Sequence, residues 1–515
     1  MIIGWKRIRA ISSILKFDRV IIKKLKKTNY YLLLSCLLII FETLLILKSK
    51  WSDDFFEHSA VINELSRDLT NPSNPIIKSD IPHAFFSPYS LSVAIFSKIT
   101  SLNSIQSLEV FAILNLIFFL FAFYFFIKNI VNDNYQKVVT ISLIFTLLFW
   151  GFNPFGWSGF YHIFTLNYVL PYPSTFTMGL TLLTLGIVAK NHKKHKVLNI
   201  LAVIVFSSVV LITHPTTAIT LFVGIVSLNF VLNGYSIQQC ILKSVLLIIP
   251  SILLGIIWPY FSLVDLFISN NVDFHMDSSK LYLGMFEKNW PILLIIPSFF
   301  YSKKDPIIYF FLLTIISLLL IYFGGLLFNF YGVSRTISGA MLFSHYLLAY
   351  YCLLLIKNQE WFSKAYIITL FLGFFTSIGL NFFQLGSLAY GIFKQKDTSY
   401  YEKYAFLKNF VGHYNIVLSD DQSNWIIPSY SGKVISSEQP LYWVDDIKLR
   451  RNAVTSFFEK ENPDSIRQSI IKTYNPDFIL INHSIVKFDP LTFQWLRSIG
   501  ETIYNKDQME LIKIN

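Results

Sequence analysis

The densest group of titratable side chains in the sequence follows the first long apolar run. Two aspartates, a glutamate and a histidine stand within six positions, as Asp53, Asp54, Glu57 and His58. If this stretch begins a helix, Asp54 and His58 lie one turn apart on the same face. A carboxylate so placed can act as a general base for a hydroxyl group, while a neighbour tunes its pKa. The alternative is a solvated loop with acidic capping of a helix predicted over 55–69.

Three isolated residues are candidates for supporting this site. His83 precedes an amphipathic stretch over 85–100, although a loop histidine is also a common structural residue. His214 stands before Pro215, which by itself predicts a helix break. Arg335 is the one basic residue between two late apolar runs, and a single cation there suits a phosphate group. The alternative for Arg335 is snorkelling of its charge to the membrane interface.

The elements that must position these residues are mostly membrane helices. Apolar residues make up 54% of the 515 positions and charged residues only 14%, against about 25% in soluble proteins. This composition excludes an ordinary soluble enzyme and a disordered chain. Because a helix needs about 20 apolar residues to cross a bilayer, we predict about 11 transmembrane helices. The predicted spans are 30–47, 106–127, 138–150, 174–189, 197–213, 216–233, 241–260, 289–301, 306–327, 336–356 and 365–383.

The distribution of charge predicts the orientation of these spans. If residues 1–29 form a basic cytoplasmic arm before a retained first span, the segments on that side hold 20 basic and only four acidic residues. An odd number of spans then places the C-terminus outside the cell. We therefore predict a multi-pass protein of the plasma (inner) membrane. The net charge of +12 is an orientation signal, and nucleic-acid binding is not predicted.

Two large regions follow from the same distribution. We predict a transmembrane domain over 30–393, with a long first outer loop over 48–105, and a soluble extracytoplasmic domain over 394–515. The second region has 15 basic and 15 acidic residues in 122 positions, a charge content typical of soluble proteins. Strand-like and helix-like runs alternate in it, which predicts an α/β fold with a largely parallel sheet. The predicted strands are 415–419, 433–436 and 477–482, and the predicted helices are 450–460, 464–474 and 490–498.

Asp420 and Asp421 follow the first of these strands. Carboxylates at such a strand end can bind ligands in open α/β sheets, but a turn built on Asp-Asp-Gln-Ser is the simpler interpretation. The sequence contains no glycine-rich phosphate-binding motif and no catalytic-serine elbow.

With its acidic pair just after the first span, the chain resembles the GT-C superfamily of polytopic membrane glycosyltransferases. The resemblance covers the whole chain in architecture, but in residues it rests on Asp53-Asp54 followed by Glu57-His58, so no subfamily is assigned. It implies a lipid bilayer location and a sugar donor carried on polyprenyl phosphate or diphosphate. It also implies an inverting transfer with Asp54, or else Asp53, as the catalytic base. In this view Glu57, His58, His83 and His214 support the site, and Arg335 binds the donor phosphate.

A metal cofactor is not predicted from these residues. The second half of an Asp-X-Asp motif is missing, because the position two after Asp53 is Phe55. A divalent ion stays open through the resemblance alone, and no metal ligand is assigned.

The predicted function is transfer of a sugar from the polyprenyl-phosphate carrier to a glycan, lipid or protein acceptor on the extracytoplasmic side, in synthesis of a cell-surface glycan or glycoconjugate. One alternative is an O-antigen-type polysaccharide polymerase or ligase. Such proteins depend on arginines in large outer loops, and only Arg67 and Arg335 stand in outer loops here. A transporter or flippase of lipid-linked glycans is less favoured, because the sequence shows no repeated halves and transport does not explain the region 394–515.

Overall fold

A computed structural model describes most of the chain. The predicted arm over 1–29 lies outside the described residues except for Asn29. The described residues are 29–191, 196–268, 278–301, 305–357, 360–394, 399–438, 441 and 443–515.

Every apolar run that was predicted to span the membrane is helical. Within the described ranges, six helices are long and apolar enough to cross a membrane, and four shorter apolar helices accompany them. The chain is therefore a multi-pass membrane protein. The run predicted over 289–301 differs from the others, because it forms a 3-10 helix, Trp290–Tyr301, that contains Pro297. Proline lacks the amide hydrogen that an α-helix needs at this position.

The α-helices of the first 393 residues are numbered in chain order. They are α1 Tyr30–Ile46, α2 Asp54–Arg67, α3 Pro88–Thr100, α4 Ser104–Ile130, α5 Tyr135–Leu148, α6 Leu166–Val169, α7 Pro173–Asn191, α8 Val197–Thr213, α9 Pro215–Leu232, α10 Ile237–Ile256, α11 Leu263–Ile268, α12 Met285–Asn289, α13 Pro306–Leu327, α14 Thr336–Ile356, α15 Trp361–Leu380 and α16 Phe382–Phe393. Two further 3-10 helices are Ser278–Tyr282 and Tyr331–Arg335.

The long loop after α1 holds two helices. Helix α3 begins at Pro88, within the amphipathic stretch predicted over 85–100. At its start, the Ser87 hydroxyl accepts the amide hydrogen of Ser90. Helix α2 follows α1 after a short turn, and ten of its 14 residues are buried. A helix buried on most of its surface is fixed by its neighbours on several sides. This burial makes α2 a firm support for the acidic residues at its start.

The C-terminal region contains a five-stranded sheet. Its strands are β1 Ile416–Leu418, β2 Lys433–Val434, β3 Phe478–Asn482, β4 Gly500–Lys506 and β5 Met509–Ile514, in the order β2-β1-β3-β5-β4. The helices around it are α17 Ser399–Glu402, α18 Leu407–Phe410, α19 Asp421–Tyr430, α20 Ile447–Phe458, α21 Asp464–Tyr474 and α22 Pro490–Ser498.

The three predicted strands and three predicted helices are all present, but the sheet is mixed rather than largely parallel. Strand β1 pairs in parallel with β2 and β3, whereas β5 is antiparallel to both β3 and β4. The prediction missed the β4–β5 hairpin. Its two turn residues, Asp507 and Gln508, both have positive φ, as in a type I′ turn, without the usual Asn-Gly signal.

Candidate active site

The backbone bends sharply where α2 begins. Asp53 occupies the N-cap position with φ 49° and ψ −124°, and its side chain makes no capping hydrogen bond. For a residue with a side chain, this conformation costs about 1–3 kcal/mol and is found mostly at functional sites. The capping role considered for Asp53 is therefore not what the structure shows.

Aromatic packing holds this bend in place. Trp51 is buried and its ring stacks on Phe55, with 4.3 Å between ring centroids and 5° between planes. The Trp51 indole Nε1 also donates a hydrogen bond to Glu109 Oε1 on α4, at 2.9 Å. These contacts fix the residues on both sides of the two aspartates, so that the strained backbone persists.

Asp54 and Glu57 are one helical turn apart but have opposite surroundings. Asp54 is exposed, whereas the Glu57 side chain is only 2% exposed. Burial, and then the nearby charge of Asp54, hold the pKa of Glu57 well above its ordinary value. A buried carboxyl group with a raised pKa thus lies one helical turn from a carboxyl group that faces solvent.

His83 faces the buried glutamate. Its Nε2 atom lies 3.4 Å from Glu57 Oε1, and its Nδ1 atom accepts the backbone amide hydrogen of Phe85 at 3.2 Å. Because Nδ1 is an acceptor, the ring proton resides on Nε2, which makes no hydrogen bond of good geometry. Burial, and then the charges of His58 and Lys433, lower the pKa of His83 to about 3, so the ring is neutral at pH 7.

His58 connects the acidic residues to the second long loop. Its ring stacks on Phe85 at 4.6 Å and lies 5.3 Å from the ring of Tyr172. Burial lowers the pKa of His58 to about 3. The pKa of Tyr172 is raised by burial and then by the charges of Asp54, Asp53 and Glu57.

His214 lies at the joint between α8 and α9. Its Nδ1 atom is 2.7 Å from the Thr217 hydroxyl and 3.1 Å from the Thr216 hydroxyl. Burial, and then the charges of Arg335 and His58, lower the pKa of His214 to about 3. Pro215 occupies the first position of α9, so the predicted helix break is present, and the site role of His214 stays a prediction.

Arg335 ends the 3-10 helix that precedes α14. Its Nη1 atom donates a hydrogen bond to the Ser158 hydroxyl at 2.7 Å, and its guanidinium lies 5.4 Å from the centroid of the Trp157 ring. Both partners belong to the aromatic loop between α5 and α7. The arginine is therefore held in a defined position and stays partly exposed.

The structure brings all the predicted site residues into one connected set. The carboxylates influence Tyr172, which packs on His58, and His58 and Arg335 both influence His214. Tyr172 is the member that the sequence did not single out. It stood within a loop of many aromatic residues, and nothing in its local sequence marks it as the one beside the aspartates.

A metal site does not emerge from these residues. Among the described residues, no group of three or more His, Cys, Asp or Glu side chains is arranged to hold a metal ion. No metal ligand is assigned among the described residues.

Asp420, in the C-terminal region, has a structural task. Its Oδ1 atom accepts the amide hydrogens of Gln422 and Ser423, at 3.1 and 3.0 Å, and its Oδ2 atom accepts the Ser423 hydroxyl at 2.6 Å. These are the hydrogen bonds of a helix N-cap, and α19 begins at Asp421. The aspartate pair therefore has a structural role, but it lies at the start of a helix and not in the predicted turn.

Comparison with known proteins identifies solved structures that share this fold. No protein-family model matches the sequence, and no curated protein matches it. Among solved structures, the archaeal oligosaccharyltransferase AglB from Archaeoglobus fulgidus, in complex with an inhibitory peptide and a dolichol-phosphate, aligns with 88% of this chain and 69% of its own, at 10% identity and a TM-score of 0.51. The apo form of the Archaeoglobus fulgidus oligosaccharyltransferase aligns with 89% of this chain and 70% of its own, at 9% identity and a TM-score of 0.53.

A third solved structure matches over nearly its whole length. ArnT from Cupriavidus metallidurans, bound to undecaprenyl phosphate, aligns with 94% of this chain and 97% of its own, at 9% identity and a TM-score of 0.51. Likeness at this level of identity establishes the fold. The fold of this chain is therefore shared with AglB and with ArnT over most of its length.

Proposed function

We propose that this GT-C-fold protein is a membrane glycosyltransferase that moves a sugar from a polyprenyl-phosphate carrier to an acceptor on the extracytoplasmic side, in the synthesis of a cell-surface glycan or glycoconjugate. The observation that carries the proposal is the exposed carboxylate of Asp54 at the start of helix α2, in which ten of 14 residues are buried. The carriers found with AglB and ArnT, dolichol-phosphate and undecaprenyl phosphate, support the class of donor.

Asp54 is the proposed general base. Its carboxylate takes the proton of an acceptor hydroxyl as the acceptor oxygen attacks the anomeric carbon of the donor sugar. The bond from this carbon to the phosphate oxygen breaks, and the electron pair leaves with the polyprenyl phosphate. Because Asp54 is exposed, the proton then passes to solvent. A single displacement of this kind inverts the anomeric centre.

Arg335 is the proposed partner of the leaving phosphate. Its guanidinium carries a permanent charge and is already oriented by Ser158 and Trp157, so little freedom is lost when it binds an anion. The charge of Arg335 also lowers the pKa of His214, whose ring is neutral. An arriving phosphate would favour the protonated form of His214, which would then share the developing charge.

The remaining predicted residues serve Asp54. Glu57 is buried one turn along α2, its Oε1 atom lies 3.4 Å from His83 Nε2, and the His58 ring packs against Phe85 and Tyr172. Asp53 is the alternative base and lies at the bend itself. We assign both aspartates to the extracytoplasmic surface, with the N-terminus in the cytoplasm and the region 394–515 as a separate extracytoplasmic domain.

The proposal is tested by comparing the cell-surface sugar composition of the source cells with and without the gene. We expect one sugar to disappear on deletion, to return with the wild-type gene and to stay absent with Asp54→Asn. The matched control is Asp507→Asn, the same substitution in an exposed turn of the β4–β5 hairpin. An unchanged surface composition on deletion would overturn the proposal.

Two further measurements address orientation and stereochemistry. Reporter fusions at Asn515 should be active only outside the cytoplasm, and a cytoplasmic signal would contradict the placement of the site. A donor synthesised with the missing sugar on undecaprenyl phosphate should yield a product of opposite anomeric configuration in the NMR spectrum. Retention would exclude the single displacement by Asp54.

A further inference from the structure

The far end of helix α2 is joined to the C-terminal domain by a buried ion pair. Glu64 Oε2 lies 2.6 Å from Lys433 Nζ on β2 and 2.7 Å from His413 Nε2. Its other oxygen, Oε1, accepts the Ser73 hydroxyl at 2.7 Å and the Ser73 amide hydrogen at 3.1 Å. The Glu64 and Lys433 side chains are only 2% and 1% exposed. The pair is separated by 369 positions in the sequence.

This pair is fully satisfied, which is unusual for buried charges. Lys433 Nζ also donates to the backbone oxygen of Asn74 at 2.6 Å. Burial alone would raise the pKa of Glu64, but the hydrogen bonds from His413 and Lys433 and the charge of Lys433 outweigh it and lower the pKa to about 2. Losing one partner of such a pair leaves an uncompensated buried charge. The ion pair therefore favours the one arrangement of α2 and the C-terminal domain in which Glu64 meets Lys433.

Neutral hydrogen bonds extend the contact along the same helix. Asn63 Nδ2 donates to the Pro428 oxygen at 3.0 Å, and the Ser429 hydroxyl donates to the Phe56 oxygen at 3.1 Å. Phe56 is two residues from Asp54. The C-terminal domain thus contacts α2 near its catalytic end as well as at Glu64.

A hydrogen bond between backbone atoms also joins strand β2, at the edge of the sheet, to the loop after α2. The Val434 amide donates to the Ile76 oxygen at 2.8 Å, which extends the β2 edge by one hydrogen bond to the loop after α2. Near the start of α2, the segment α17 brings Tyr400 toward the site. The pKa of Tyr400 is raised by burial and then by the charges of Asp53 and Asp420.

We propose that Lys433 is a positioning residue, through which the C-terminal domain docks on helix α2 and sets the position of Asp54. This inference rests on the proposed function, because it takes Asp54 as the base. The Asp53 side chain does not cap the start of α2. The position of this helix end therefore depends on contacts made elsewhere along α2, such as that of Glu64 with Lys433. A straight helix transmits a shift at Glu64 over about 15 Å to Asp54.

The experiment compares Lys433→Met with the control Lys506→Met, which removes an exposed lysine from the edge strand β4. Two quantities are measured in the full chain. One is hydrogen exchange of the peptides that cover Asp54–Arg67. The other is the gene-dependent surface sugar in a deletion strain that carries each variant. We expect Lys433→Met to speed exchange about tenfold. We expect transfer to fall between about 10-fold and 100-fold. The control should change neither.

A disulfide separates positioning from folding. Cysteines that replace Ile76 and Val434, whose backbones share a hydrogen bond, can join the two regions without Lys433. In the Lys433→Met background this bond should restore slow exchange and transfer, and a reductant should remove both. If Lys433→Met fails to fold, Glu64→Met/Lys433→Met removes both charges together and takes its place.

Three results would overturn the proposal. The first is normal transfer by Lys433→Met, the second is normal exchange in Asp54–Arg67, and the third is a cross-linked variant that recovers slow exchange but not transfer. Failure of the proposed function is distinct, because Asp54→Asn would then leave the surface sugar unchanged. The exchange of α2 would still decide whether the domain docks through Lys433.

Discussion

The two ends of helix α2 carry acidic side chains in opposite states. At the far end, every oxygen of Glu64 has a partner, and the group is a buried, fully paired anion. At the near end, Glu57 Oε1 and His83 Nε2 are buried with no hydrogen bond of good geometry, and Asp53 sits in a strained backbone. A satisfied network serves structure, whereas unsatisfied and strained groups mark a place that is completed by something else. The difference supports the proposal that chemistry takes place at the near end of α2.

The largest expected effect concerns Asp54. Asp54→Asn should lower turnover by about 10²–10⁴-fold, because an amide cannot accept the acceptor's proton. Its melting temperature should match that of the wild type, since the side chain is exposed. Turnover is measured with the undecaprenyl-phosphate donor of the missing sugar. Asp53→Asn is the matched control, with a loss below about tenfold. Equal losses in the two variants would assign the base to neither residue alone.

The second effect tests the paired end. Glu64→Gln should destabilise the protein by about 3–5 kcal/mol, because Lys433 then keeps a buried charge without its counterion. The measurement is chemical unfolding in detergent, followed by fluorescence. The wild-type contribution of Glu64 is present above pH 4.5 and is lost as the pH falls toward about 2, since its folded pKa is depressed. A variant as stable as the wild type at pH 7 would contradict the structural role of this end.

The third effect returns to the chemical end. Arg335→Ala should reduce the use of the phosphate donor by about 10–100-fold, which corresponds to loss of a charged hydrogen bond. Its dependence on acceptor concentration should not change. Arg335→Lys should recover part of the loss, because lysine keeps the charge but not the planar contact with Trp157. A defect in acceptor use alone would remove the arginine from the phosphate site.

The smallest effect compares the same substitution at both ends. Glu57→Gln should fold normally, because an amide imitates a neutral carboxyl group. The folded pKa of Glu57 is raised, so the wild type loses stability as the pH rises above about 4.5, and the glutamine variant does not. The melting temperature of the variant minus that of the wild type should therefore grow from pH 5 to pH 8. A difference that shrinks with pH would show that Glu57 is charged in the folded state.

The sequence predicted features whose determinants are local. The one-turn spacing of Asp54, Glu57 and His58 is a property of five consecutive positions, and the structure places them at the start of a helix. The three strands first predicted were equally readable, because each is a short apolar run between polar residues. The β4–β5 hairpin was missed, since its turn at Asp507 and Gln508 uses positive φ without glycine.

The non-local contacts could not be predicted in the same way. Lys433 opens a strand that is otherwise apolar, and a buried lysine demands a partner, but nothing in the sequence indicates that this partner is Glu64. Tyr172 likewise reaches the carboxylates only because two distant loops fold together. Burial decides the charge of Glu57, and burial is a property of the assembled protein.

The bend at Asp53 also bears on how this chain has been selected. A positive φ with ψ near −124° is a conformation that glycine adopts freely and aspartate does not. In a mutant library screened for heat resistance alone, Asp53→Gly should be enriched, because it relieves the strain. In a library screened for surface glycan, aspartate should be retained at this position. These results would show a trade-off between stability and activity at the single position Asp53.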